Sequence, residues 1–191
     1  MRRAPRIAVL TAGALIAGTA ACSSEVVGSA SPAPAALDLE TTRVASYAAG
    51  QPHAPGDVDY AESPPVGGPH ASVWADCTGS VYDVDIRHEN AVHSLEHGAV
   101  WVTYDPDLLG EGDVATLAAL VEGVPYRLMS PYAGLGVPVS IQAWNHQLLV
   151  DSADDARLEQ FADLLTSNPD TTPEPGATCE NPAFLEDPET A

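Results

Sequence analysis

Six histidines are unevenly spread along this chain of 191 residues. His53 and His70 fall in Gly/Pro-rich stretches, whereas His88, His93 and His97 lie within ten residues of one another. His93 and His97 are four apart, one helical turn, which lets a helix present two imidazoles to one metal ion from the same face. Glu96 shares that side. With His70 supplied by a loop, the expected site is three nitrogens, His70, His93 and His97, with His53 or an open position as the fourth ligand. Neutral imidazole suits both copper and zinc, and copper forms the tighter complexes. Met129 could add a thioether for Cu(I), but a lone methionine on a predicted strand reads as core. Two other readings compete. The string His93-Ser94-Leu95-Glu96-His97 has the H-x-x-E-H spacing of inverzincin peptidases, in which two histidines bind zinc and the glutamate activates water. Here Gly98 follows at once, leaving little of the long helix that chemistry uses. Alternatively, the histidines satisfy backbone carbonyls, and the domain binds no metal and docks onto an envelope partner. No nucleophile elbow, nucleotide-binding Gly-rich loop or C-x-x-C pair occurs, so the residues argue more against catalysis than for it.

The elements that carry these residues follow an export signal. Arg2, Arg3 and Arg6 precede an uncharged run from Ile7 to Gly18, then Thr19-Ala20-Ala21 and Cys22. That is the layout of a bacterial signal peptide over residues 1–21. The apolar run is short of the roughly 20 residues a spanning helix needs. Cys22 sits where a lipobox places its cysteine, although Thr19 stands where leucine is usual. The expectation is a diacylated Cys22, whose two chains suffice for stable attachment, holding the protein on the outer face of the cell membrane.

Removal of the first 21 residues leaves 170, and three of the seven basic residues go with them. Four arginines then face 27 acidic residues, a net charge near −23. Such a field repels nucleic acid and anionic headgroups, so nucleic acid is not an expected partner. With Cys22 assigned to lipid, Cys77 and Cys179 remain as an even pair in an oxidising compartment and are expected to form a disulfide. One of them serving as a thiolate metal ligand is the alternative.

Residues 22–47 read as the lipidated cysteine and a flexible linker, Ser/Ala/Pro-rich at its start. Residues 48–70 are too dense in Pro and Gly for helix or strand and read as ordered loop. Then come a short strand (80–86), a helix (89–97) stopped by Gly98, and a β-branched strand (99–104). A helix over 112–121, a strand over 126–130, a hairpin over 137–150 turning at Asn145-His146, and a helix capped by Ser152 complete the order. The pattern predicts a single small α+β domain, helices packed on a largely antiparallel sheet, with long ordered loops. Residues 180–191 read as a disordered acidic tail.

Several segments carry a family resemblance: VDYAESPPVGGPHASVW (58–74), Cys77, AVHSLEHGAVWVTY (91–104), SPYAGL (130–135), AWNHQLLVDS (143–152) and TPEPGATC (172–179). Over about 52–179, within a domain read as 48–179, the chain resembles the DUF3105 family. That resemblance implies an actinobacterial-type envelope protein, with Cys77 and Cys179 both in the pattern and His70, His93, Glu96 and His97 in its signature. It implies no reaction. At Asn145-His146, where the family suggests a Gly-Arg-like pair, the chain departs, and His146 is read as a surface residue of its own.

Overall fold

The computed structural model describes residues 36–191; the signal segment and Cys22 lie outside them. A central strand buried on both faces organises the rest. Strand β2 (Val100–Tyr104) sends Val100, Val102 and Tyr104 into one core cluster and Trp101 into another on the opposite side. A strand covered on both sides needs no polar alternation, and this one has none but Thr103.

Around it stand β1 (Thr78–Val81), β3 (Arg127–Pro131), β4 (Val139–Ala143) and β5 (His146–Val150), in the order β1-β3-β2-β4-β5. The class is α+β as expected, and the sheet is mixed. Strands β2-β4 and β4-β5 pair antiparallel, while β1-β3 and β2-β3 pair parallel. Helix α3 (Glu111–Val121) is the crossover joining parallel neighbours β2 and β3, the connection such a pair requires.

Helices α3 and α4 (Arg157–Leu165) cover one face of the sheet, where Leu117, Val121, Leu158, Phe161 and Leu165 meet Val102, Met129 and Ile141. Met129 is thus a core residue. Helix α2 (His88–Glu96) covers the other face with Ala91, Val92 and Leu95 against Trp101 and Leu128. Its end is a Schellman motif: the Gly98 amide donates to the Leu95 carbonyl and the Ala99 amide to the Ser94 carbonyl. Gly98 takes φ +98°, a conformation that favours glycine there. No helix among the described residues is long and apolar enough to cross a membrane.

Four expectations need correction. The segment before residue 48 is not linker throughout. Helix α1 (Leu39–Thr42) is closed by a reciprocal Asp38–Thr41 capping box, and Val44 and Ala45 donate to the Asn145 carbonyl. The last residues are not a disordered tail either. Asn181 caps α5 (Pro182–Glu186), Phe184 is buried in the α2-side core, and Ile86 bridges Thr190. Finally, His146 is not a surface residue. The β4-β5 turn is Trp144-Asn145, so His146 opens β5, 3 % exposed, with its Nδ1 2.6 Å from the Trp144 carbonyl. Asn145, at φ +66°, takes the left-handed position. Helix α4 likewise starts later than Ser152 suggests: Asp155 accepts the Arg157 amide at its entry.

Candidate metal centre

Helix α2 is buried almost all round. The side facing away from the sheet carries Glu89, Asn90, His93 and Glu96, and it is covered by the Pro/Gly loops that propensity barred from forming elements. Asn90 holds those loops in place, its side chain donating to the Val73 carbonyl and its own carbonyl accepting the Ala75 amide. The Ala71 amide donates to the Glu89 carbonyl, and the Ser94 hydroxyl to the Ala75 carbonyl. Loop 66–75 is thereby fixed on the helix, with His70 beside His93. A second loop docks on the first: His53 and His70 form an isolated parallel bridge through Ala54 N–H to the His70 carbonyl, 2.7 Å. The glycines of PPVGGPH serve this packing, since a Cβ on Gly67 would stand 2.7 Å from the Tyr47 ring.

These contacts bring His53, His70 and His93 together, one ligand atom from each ring lying within 4.8 Å of the others. The buried rings are also oriented. His70 Nδ1 is 2.9 Å from the Gly68 carbonyl and His93 Nδ1 is 2.7 Å from the Ala71 carbonyl. A carbonyl can only accept, so each Nδ1 carries the hydrogen and, in the neutral ring, each Nε2 presents a lone pair. Tying the far nitrogen to a backbone carbonyl is how metal-binding histidines are held in place. His70 is fully buried, and its Nε2 has no hydrogen-bond partner among the described residues although Glu96 Oε2 is 3.0 Å away. The separation is that of an ion pair and the alignment is not that of a hydrogen bond. A buried, unpartnered nitrogen is costly unless something occupies it. His53 is exposed and leaves one side of the group open to solvent.

His97 stands next to the group and outside it. Its ring is 4.6 Å from that of His93, as the four-residue spacing requires, but nearly perpendicular to it. The anchors differ: His97 Nδ1 is held 2.8 Å from the Thr178 carbonyl, and its Nε2 lies 3.9 Å from Glu174 Oε2. The group thus contains His53, expected as a possible fourth ligand, and does not contain His97. Nothing in the sequence pairs His53 with His70; only the bridge between two loops does. Glu96 faces His70 and accepts the Gly50 amide at 3.2 Å, and of the two histidines in the H-x-x-E-H string only His93 belongs to the three-imidazole group. Trp74 packs over both His93 and His97, at 5.6 and 5.2 Å between ring centres. Burial pushes His93 down to about 4, the Ala71 carbonyl opposing this and the neighbouring imidazoles adding to it. Burial lowers His97 as well.

A disulfide joins Cys77 to Cys179 across 102 positions, so neither sulfur is a thiolate ligand. Such a bond belongs to an oxidising, extracytoplasmic setting.

Fold and site together define an extracytoplasmic α+β domain in which a buried helix and two ordered loops gather three imidazoles that could hold a metal ion. The chain belongs to the DUF3105 family, described as a protein of unknown function, whose pattern matches residues 53–181. That span begins at His53 and takes in the other two histidines of the group and both cysteines. Comparison with curated proteins and with solved structures returns no match.

Proposed function

We propose that this protein is a lipid-anchored domain on the outer face of the cell membrane that binds one transition-metal ion, copper or zinc, through His53, His70 and His93. The observation that carries the reading is the convergence of the three imidazoles, with His70 and His93 turned by backbone carbonyls so that Nε2 is the free nitrogen. Three neutral nitrogens suit Cu(II) and Zn(II) alike. The acidic chain, with 27 carboxylates against seven basic residues, favours cations near the domain.

Metal-free protein exposed to Zn(II) or Cu(II) and desalted should retain one equivalent by elemental analysis. His97→Ala should retain the same equivalent, and His53→Ala should lose most of it. Retention by His53→Ala with loss by His97→Ala would return the site to the helical pair. No retention by the wild type would leave the docking domain as the better account.

The anchor rests on the basic, apolar and small-residue run ending at Cys22. Cys22→Ser should move the protein from the membrane fraction to the soluble fraction. Identical fractionation of both forms would remove the lipid from the account.

A further inference from the structure

The side chain beside His70 bears on which ions the site accepts. Glu96 is 2 % exposed, and its two oxygens have different surroundings. Oε1 accepts the amide of Gly50, three residues before His53 on the loop that docks over the site. Oε2 lies 3.0 Å from His70 Nε2, the buried nitrogen that lacks a hydrogen bond. With the His70 Nδ1 hydrogen directed at Gly68, the neutral ring turns a lone pair toward a carboxylate oxygen. Two lone-pair atoms at that distance repel unless a positive charge lies between or beside them. Two donors on one tetrahedral ion, with bonds near 2.0–2.1 Å, stand about 3.3 Å apart. The Nε2–Oε2 separation is close to that edge.

Resting on the metal-site reading, we infer that Glu96 Oε2 is the fourth donor, which makes the site three imidazoles and one carboxylate and selects divalent ions over Cu(I). The Gly50 amide holds Oε1 and so aims Oε2, the usual supporting role of a hydrogen bond on a ligating carboxylate. Among the described residues no soft donor competes. Met129 lies in the core on the far face of the sheet, and both described cysteines are in the disulfide. A hard oxygen and three borderline nitrogens match Zn(II) and Cu(II), whereas Cu(I) favours thiolate and thioether. The histidine nitrogens lie within 4.8 Å of one another, more than a tetrahedral edge, and Glu96, close to His70, is outside that group, so binding draws the rings inward by up to about 1.5 Å and brings His53 and His93 closer to Glu96 as well. The exposed His53 loop can make that movement, and through Gly50 it is already tied to Glu96.

The test is Glu96→Gln, which keeps the shape and an acceptor for Gly50 while removing the charge. Zn(II) affinity is measured by competition with a chromophoric chelator, Ag(I) serves as a non-redox stand-in for Cu(I), and Co(II) absorption reports the ligand field. The expected result is a Zn(II) affinity lowered about 10–100-fold, Ag(I) affinity within twofold of wild type, and an altered Co(II) spectrum. Unchanged Zn(II) affinity, or equal losses for both ions, would overturn the assignment of Glu96 while leaving the three histidines in place. Failure of the wild type to bind any of these ions would overturn the underlying site, and the Glu96 assignment with it. Should Glu96→Gln not fold, Glu96→Asp, with its carboxylate one methylene back, gives the same comparison. Zn(II) affinity then falls and Ag(I) affinity holds if the oxygen is a ligand.

Discussion

Replacing His70 and His93 together by alanine should leave a folded domain that no longer gains stability from zinc or copper. A ligand that binds only the native state adds about 2.7 kcal/mol at 100 times its dissociation constant, so the wild type should show a higher denaturant midpoint with metal than without. The double variant should show the same midpoint in both. The fold has reason to survive, because the two core clusters lie on the sheet faces and contain neither histidine. The comparison is within each protein, so a lower baseline in the variant does not disturb it. A metal-dependent rise that persists in the variant would show that the ion sits elsewhere.

The same pair of proteins separates a built site from a merely acidic surface by pH. The folded pKa of His93, about 4, lies below the value near 6.5 expected of an unperturbed histidine. The unfolded chain therefore takes up its proton first as pH falls. The metal-free wild type should hold the His93 contribution fully above about pH 6.5 and lose it as pH drops toward 4. Discounted for solvent reaching the site past exposed His53, that contribution is about 1–2 kcal/mol. His93 itself stays neutral, and competent as a ligand, well below the pH at which an exposed histidine would charge. Equal acid sensitivity of the wild type and the double variant would mean that the His93 ring is not buried in solution.

Elements with strong local signals are legible in the sequence. Helix α4 repeats apolar residues at helical spacing, Gly98 marks the end of α2, and β2 is a β-branched and aromatic run, so all three fall near their expected positions. Strand partners are not legible: a period-two pattern says which face is buried and not which neighbour is parallel, so the parallel pairing of β1, β3 and β2, whose positions are expected, cannot be read from it. The ordered ends were hidden by composition. Residues 180–191 are acidic, yet the Asn181 cap and the single buried ring of Phe184 fix them to the α2-side core. Segment 36–47 is fixed by Asn145, whose side chain takes the Tyr47 amide and donates back to the Tyr47 carbonyl.

The candidate site divides the same way. The i, i+4 spacing places His93 and His97 on one face of a helix, and both are there. The direction of each Nε2 depends on the carbonyl that takes Nδ1, and those carbonyls, of Ala71 and Thr178, come from segments 107 residues apart. Local spacing carries no information about them. The His53 contribution depends on loop pairing, which leaves no periodic trace, and the burial of Glu96 against His70 depends on both.

Breaking the Cys77–Cys179 disulfide, by reduction or by a double serine substitution, should cost about 4–5 kcal/mol of stability and little of the site. The bond closes a loop of 102 positions, and on the chain-entropy model a loop of that length withholds about that much freedom from the unfolded chain. The native contacts around it do not depend on it alone. The Cys77 amide donates to the Cys179 carbonyl, the Asn181 amide to Asp76 Oδ2, and the Tyr126 hydroxyl to the Ala177 carbonyl. The Glu174 amide reaches the Glu96 carbonyl at the end of α2. With these ties the C-terminal segment stays docked in the folded state, and the loss arises in the unfolded one. His70 and His93 take their orientation from Gly68 and Ala71, and only His97 is held by Thr178, the neighbour of Cys179. The reduced protein should therefore unfold at a much lower denaturant concentration yet bind zinc with nearly wild-type affinity wherever it is folded. An unchanged unfolding midpoint would mean the cross-link constrains nothing. Loss of zinc binding from a folded, reduced protein would place the Thr178 segment, and His97 with it, inside the metal site.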